Sequence, residues 1–392
     1  MLQVVSKKEM KSSLNTKIPL LVNDFVIFED ICNFKCSYCL TPNSTLKKDS
    51  RPTKPDILSR LGKSKNYLWY EANTGIGEDI NKVLDGIESC VDAPILKISG
   101  GEVFLIKNIV ELFKEKAVHY SNLQVLTNGS LLNEELIREM AEISNINVQF
   151  TLDGHTIEMN HYRVKNQNIQ NRLLRNIDLL IKYGIPLEIN CVLTNKNTGY
   201  LDRFMEYLLK YEGKLLLLPY PVRGPLRWKY FPLPKQIKTL EKIVGNYAYY
   251  QGILPPKVYL IKLIEFLVKK KRTFRCDLPG CMFQSFNDGI VTPCPNVWTV
   301  VLGNVLLEES EDVFKRLGQE RIYKLMLNER FCAPFCRQCY TPWDIINLYF
   351  QNNISIQTLC KIPLYNKPKI KRRLEKLKRE VHCHNDYHLN HH

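Results

Sequence analysis

The chain is predicted to be an α/β protein: a partial (β/α)6 barrel followed by a small α+β, cysteine-rich domain. Three observations carry that expectation. From about residue 21 to 222, short apolar runs alternate with amphipathic helical stretches, giving six strand candidates. At 392 residues the chain exceeds the usual size of one hydrophobic core. Beyond a stretch marked by Pro221, Pro225, Pro232 and Pro234 the composition changes, and six cysteines gather between Cys276 and Cys339.

The strand candidates are 24–29, 95–99, 122–127, 146–152, 187–193 and 214–219. Helical runs fall between them at about 78–90, 107–117, 133–143, 168–184 and 199–211. The 168–184 run places Ile169, Leu173, Leu174, Ile177, Leu180 and Ile181 at 3.6-residue spacing. Strands alternating with helices of this length predict a parallel sheet covered by helices. Sites in such sheets lie beyond the C-terminal strand ends. Residues 1–20 read as a polar lead-in and 21–222 as the core. A long basic insert, 41–72, leaves the core beside its first cysteines and reads either as a lid or as an unstructured loop. Residues 223–345 hold linker helices near 234–249 and 256–271 and then the cysteine-rich part. Residues 346–392 hold a basic helix and a tail with five of the eight histidines, His382, His384, His388, His391 and His392, which reads as a terminal tail rather than a metal site.

No run approaches 18 apolar residues, and the N-terminus lacks the order of a signal peptide, so a cytoplasmic protein without a membrane partner is expected. In that reducing compartment the thirteen cysteines are not expected to form disulfides, and the nine that fall in two groups read as metal ligands. Cys90, Cys191, Cys360 and Cys383 are scattered and read as plain thiols. The net charge of +15 is uneven, with nine Lys/Arg against two Glu between Lys361 and Glu380. That segment reads as a solvated helix or as a dock for an anionic partner.

Cys32, Cys36 and Cys39 form C-x3-C-x2-C just after the first strand candidate. Three thiolates on so short a turn suit a cuboidal iron–sulfur cluster and leave one iron without a protein ligand. A zinc site asks for a fourth ligand nearby, and none is present. Downstream, the strand Ile95–Ser99 runs into Gly100-Gly101-Glu102. With Tyr38 before the last cysteine, this combination resembles the radical S-adenosylmethionine (SAM) superfamily, whose core is a partial TIM-like barrel.

That resemblance implies a [4Fe–4S] cluster on Cys32, Cys36 and Cys39, its open iron chelated by SAM. In the GGE turn the two glycines are expected to let the backbone approach the ligand, and Glu102 to pair with the methionyl ammonium. Tyr38 and Ser99 belong to the same cofactor site. Thr151 and Asp153 of Thr-Leu-Asp-Gly stand where the family binds the ribose diol. Arg163 stands where an arginine meets the SAM carboxylate, with an Asp153–Arg163 structural ion pair as the alternative, and Asn190 lies on the strand passing the adenine. Thr127-Asn128-Gly129 can be only a turn signal.

Cys276, twelve residues, Gly289, four residues and Cys294 fit the opening of the SPASM and twitch extensions of this superfamily. SFNDGIVTPC within it reads as a hairpin with an Asp-Gly turn. Cys276, Cys294, Cys336 and Cys339 are the expected ligands of one auxiliary [4Fe–4S] cluster, with Cys281 and Cys332 in reserve. The full pattern is interrupted after Cys339, which puts a second auxiliary cluster in doubt. A four-cysteine zinc knuckle from Cys294, Cys332, Cys336 and Cys339 is the competing reading.

The activity implied is reductive cleavage of SAM to a 5′-deoxyadenosyl radical that abstracts hydrogen from a substrate, with a one-electron donor such as flavodoxin or ferredoxin. The substrate expected is a ribosomally made peptide. The alternative is a small molecule, such as a sugar or natural product undergoing dehydrogenation or epimerisation. A non-catalytic metal-binding protein that uses its basic tail on nucleic acid accounts for the charge and the cysteines but not for GGE or the six alternating units.

Overall fold

The computed structural model describes residues 17–27, 31–39, 78–224, 227–297, 300–319, 326 and 334–389, with only the backbone path at 78–79, 334–335 and 381–389. The lead-in up to residue 16, the insert 41–72, Cys332 and the last three residues lie outside the described part.

The six predicted core strands form as β1 Val22–Ile27, β2 Ile95–Gly100, β3 Asn122–Thr127, β4 Ile146–Thr151, β5 Leu187–Leu193 and β6 Leu215–Pro221. The first begins two residues earlier than the apolar pattern indicated. Between successive strands run α1 Glu78–Cys90, α2 Ile109–Ala117, α3 Glu134–Ala141, α4 Gln167–Lys182 and α5 Leu201–Leu208. Each strand pairs in parallel with the next, as in Asp24↔Lys97↔Gln124 and Gln149↔Glu188. Residues such as Ile98, Val125, Val148 and Ile189 are fully buried beneath the helices. Parallel strands need both faces covered, and these Val/Ile/Leu-rich runs meet that need. The α/β barrel class read from the sequence is the one observed.

The cysteine-rich part continues this sheet. β7 Met282–Phe286 pairs in parallel with β1, from Val22↔Met282 to Val26↔Phe286. β8 Ile290–Thr292 and β9 Gly303–Asn304 follow antiparallel, giving a nine-stranded order β9-β8-β7-β1-β2-β3-β4-β5-β6. The β7–β8 connection is the predicted Asp-Gly turn. Gly289 has φ +83°, and a Cβ there would stand 2.3 Å from Asn304 Oδ1, so glycine is required. The linker helices α6 Pro234–Gly245 and α7 Lys257–Lys269 join the two parts. The Tyr259 hydroxyl on α7 donates to Pro219 of β6 at 3.0 Å, and Tyr340 donates to the Tyr259 carbonyl at 2.7 Å.

The floor of the barrel is closed from the C-terminal side. α8 Asp344–Phe350 is buried throughout, and Asn122 at the base of β3 donates to the carbonyl of Leu364 at 3.1 Å. The basic segment is helix α9, Pro368–Leu389, whose Ile370, Leu374 and Leu377 are buried. Its Arg373 donates to the Leu20 carbonyl at 2.6 Å and to the Asp92 carboxylate at 2.5 Å. Part of the basic charge therefore seats the helix rather than facing solvent.

The interior is polar as well as apolar. Gln124 and Gln149 donate side-chain N–H to Glu188 Oε2 at 2.8 and 3.1 Å, while Glu188 Oε1 has no partner. Burial raises the Glu188 carboxyl to about 7, against the amide hydrogen bonds and Lys97. A folded-state pKa above the unfolded one favours folding most below about pH 4.5, and that contribution is lost as pH rises toward 7. Glu188→Gln keeps an acceptor for both amides and cannot ionise. It is expected to stabilise the protein by on the order of 2 kcal/mol at pH 8, with the gain disappearing at pH 5. Thermal melts of both proteins at the two pH values check this.

Candidate active site

The cluster loop leaves β1 and is clamped by the ends of the next three strands. The Glu102 N–H donates to the Ile31 carbonyl at 2.8 Å, and Ser37 N–H donates to the Tyr162 carbonyl at 3.1 Å. Asn128 Nδ2 donates to Asn33 Oδ1 at 2.9 Å, and Asn33 Nδ2 donates to Ser130 Oγ at 2.8 Å. The Tyr38 hydroxyl donates to Asp153 Oδ2 at 2.5 Å. These bonds hold Cys32, Cys36 and Cys39, all half-buried, on one side of the loop. Burial pushes the Cys32 thiol up to about 12; the Phe34 N–H opposes this, while Glu102, Cys36 and Cys39 raise it further. Burial likewise raises Cys36, and Arg163 beside it pulls the other way. Among the described residues no three His, Cys, Asp or Glu side chains gather around one metal-ion position. A cuboidal cluster takes a wider triangle of thiolates than one ion does, because each ligand binds a different iron, and three thiols on one loop are its donor set.

The glycines of GGE are required by the packing of the backbone itself. A Cβ on Gly100 would lie 2.0 Å from the Ile27 carbonyl oxygen, and one on Gly101 would lie 1.9 Å from that of Ile31. The two glycines let β2 pack against the backbone that carries the cysteines, so what they admit is backbone.

Glu102 then projects into the site with 2% exposure. Its carboxylate accepts from Thr127 Oγ1 at 2.6 Å, from Asn128 N–H at 2.7 Å and from Phe104 N–H at 3.3 Å. Thr127-Asn128-Gly129 is therefore more than a turn: it holds Glu102 and the cluster loop together. Sequence reasoning passed over Thr127, Asn128 and Asn33, although Thr-Asn-Gly at a strand end was the available signal. Burial raises the Glu102 carboxyl despite these donors. The carboxylate makes no ion pair among the described residues.

At the end of β4, Asp153 is largely committed to the protein. Beyond Tyr38 it accepts from the Val192 N–H at 2.7 Å, and Arg163 Nε stands 3.8 Å away. Burial raises its carboxyl, with Arg163 the chief opposing influence. Arg163 also donates to the Thr151 carbonyl at 2.7 Å and lies 5.9 Å over the Phe34 ring. The ion-pair alternative for Asp153 and Arg163 is thus present in the geometry, and it links the cluster loop to β4. Asn190 sits in register with Thr151, and its buried Oδ1 has no hydrogen-bond partner among the described residues. Ser99 is buried one residue before Gly100.

The second cysteine group also converges. Cys276, Cys294, Cys336 and Cys339 line one cleft together with Arg272 and Asn296. They arrive from three segments, ahead of β7, after β8, and in the helical turn Pro334–Arg337 with the two residues that follow it. Burial pushes the Cys276 thiol up to about 12, with Arg272 the main opposing influence, and Cys339 is raised in the same way. Arg272 pairs with Asp344, whose carboxylate also accepts from Thr341 N–H at 2.6 Å and Asn347 Nδ2 at 2.7 Å. Asn347 Nδ2 reaches Cys276 Sγ at 3.7 Å. Cys281 lies just outside, its thiol turned to the Leu278 carbonyl at 3.4 Å. Cys90 and Cys360 likewise point at backbone carbonyls.

Residues 26–208 match the Radical SAM superfamily model. The cysteine-type anaerobic sulfatase-maturating enzyme of Clostridium perfringens is 23% identical over 340 residues, 79% of this chain and 86% of that one. A probable GTP 3′,8-cyclase of Sulfurisphaera tokodaii is 24% identical over 62% of this chain and 71% of its own length. Among solved structures, native anSMEcpe with bound AdoMet and the Kp18Cys peptide superposes with a TM-score of 0.54 at 18% identity, covering 83% of this chain and 87% of that one. Through its barrel and the cysteine loop that opens it, this chain carries a Radical SAM domain over residues 26–208.

Proposed function

We propose that the chain cleaves SAM reductively and abstracts hydrogen from a substrate, and that the substrate is a peptide. One observation carries the cofactor assignment. Glu102 is a buried carboxylate with hydrogen-bond donors but no direct ion pair among the described residues, fixed beside three clustered thiols. A carboxylate in that position gains most from an incoming ammonium, and SAM carries one. Cys32, Cys36 and Cys39 hold the cluster, which when reduced supplies the electron that splits SAM into methionine and the 5′-deoxyadenosyl radical. Arg163, tied to Asp153 and Thr151, offers its remaining N–H groups to the methionyl carboxylate. Asn190 Oδ1 and the Thr151 hydroxyl face the nucleoside, and Tyr38 and Ser99 border the pocket.

Cys276, Cys294, Cys336 and Cys339 are proposed to hold one auxiliary [4Fe–4S] cluster, with Cys281 and Cys332 in reserve. The peptide assignment draws on the sulfatase-maturating relative and on the peptide in the anSMEcpe structure. The cyclase relative supports a small-molecule substrate as the second reading. A flavodoxin or ferredoxin is the proposed electron donor. Reconstituted protein given SAM and dithionite is expected to form 5′-deoxyadenosine, read by chromatography. No product above that of a Cys32/Cys36/Cys39→Ala control would refute the assignment.

A further inference from the structure

The barrel lumen carries cations that no role above uses. Asp24, Lys97 and Gln124 are register partners on one face of the sheet, and Gln284 of β7 completes the row. Lys97 is 8% exposed, and its ammonium makes no hydrogen bond or ion pair among the described residues. Its nearest aromatic partner is Trp343, with the ring centroid 5.0 Å away. Burying an ammonium without a direct ion pair is costly, and burial lowers the Lys97 pKa. Asp24 and Glu188 act on it electrostatically but offset that cost only in part. Glu188 accepts from the amides of Gln124 and Gln149, and Asp24 Oδ1 has no hydrogen-bond partner among the described residues. Burial raises both carboxyls toward the neutral form.

A second cation reaches in from the end of β6. Arg223 acts electrostatically on both Asp24 and Lys97, lies 5.6 Å over the Tyr220 ring and donates to the Asn296 side chain. It makes no ion pair among the described residues. Lys97 lies three residues before Gly100, so it stands about 10 Å below the GGE turn at the rise of a strand.

We propose that Lys97 and Arg223 form an anion subsite in the lumen that binds a carboxylate of the substrate. An acidic residue of a peptide and a free organic acid share that chemistry. The word substrate rests on the SAM-cleaving assignment; the subsite itself does not.

The test titrates acetyl-Gly-Glu-Gly-amide, acetyl-Gly-Gln-Gly-amide and glutarate into the reconstituted, SAM-loaded protein by calorimetry. The wild type is expected to bind the Glu peptide at least about tenfold tighter than the Gln peptide, the scale of one charged hydrogen bond. That ratio is expected to fall to about one in Lys97→Met, to shrink in Arg223→Gln and to survive in part in Lys97→Arg. Lys97→Met removes a buried charge that makes no direct ion pair and whose burial outweighs the pull of Asp24 and Glu188, so its melting temperature is expected to hold or rise, which separates lost binding from lost fold. Glutarate binding tighter than the Glu peptide assigns the subsite to a free acid, and the reverse order assigns it to a residue within a chain. Equal binding of the two peptides by the wild type overturns the proposal. So does absence of Glu-peptide binding at concentrations on the order of 10 mM, or discrimination retained in both Lys97→Met and Arg223→Gln. Assay of 5′-deoxyadenosine in the same preparation keeps the two assignments apart. SAM cleavage without discrimination sinks the subsite alone, and discrimination without SAM cleavage sinks the enzyme assignment alone.

Discussion

Alanine at Cys32, Cys36 and Cys39 is expected to remove about four of about eight bound irons and to abolish 5′-deoxyadenosine formation. Alanine at Cys276, Cys294, Cys336 and Cys339 is expected to remove the other four or so and to leave the core iron in place. The two groups should behave independently because separate elements build them. The first sits on a loop clamped by Glu102, Asn128 and Asp153, the second in a cleft closed by Arg272 and α8. Iron and sulfide analysis after anaerobic reconstitution reads the outcome. A wild type with about four irons, and a core variant with almost none, would show that the second group is no cluster site. The cleft would then be reread as a zinc or structural module.

Arg272→Met is expected to cost about 3–5 kcal/mol, because it strands a buried charge rather than merely deleting a contact. Asp344 is 0% exposed, and Arg272 is its only ion-pair partner among the described residues. Its two remaining donors, Thr341 N–H and Asn347 Nδ2, satisfy lone pairs without supplying countercharge. The double variant Arg272→Met/Asp344→Asn is expected to be more stable than Arg272→Met alone, since the stranded charge is gone. Chemical denaturation of the three proteins measures both differences. If the single and double variants lose equal stability, the cost lies in packing of the arginine stem and not in the charge. Arg272 is also the main influence holding down Cys276 and Cys339, so the single variant should lose auxiliary iron before core iron.

Much of this molecule is legible in its sequence. The periodicity of 168–184 marks α4 within a residue or two, and the strand runs ending at Ser99, Thr127 and Leu193 appear where expected. The Asn-Asp-Gly turn places the β7–β8 hairpin, and the spacing of Cys276, Cys294, Cys336 and Cys339 selects four thiols that do share a cleft. Less legible was what each site residue touches. Glu102 was expected to face a ligand and is also gripped by Thr127 and Asn128. Asp153 was weighed as a ribose ligand and is occupied by Tyr38, Val192 and Arg163. Gly100 and Gly101 were assigned to ligand approach, and the structure adds that they admit the carbonyls of Ile27 and Ile31.

The sequence alone determined the order of strands and helices, the cysteine loop at the first strand end and the hairpin among the later cysteines. Each of these is encoded within a few neighbouring residues by spacing, turn chemistry or period. Only the tertiary structure decided that β7 pairs with β1 and that Thr127 and Asn128 fasten Glu102. It alone set Lys97 in the lumen among Asp24, Glu188 and Arg223, and buried Arg272 against Asp344. Such contacts join residues far apart in the chain, as Ser285 joins Asn23 across 262 positions. They exist only once the sheet has fixed which strands are neighbours, and no local pattern carries that information.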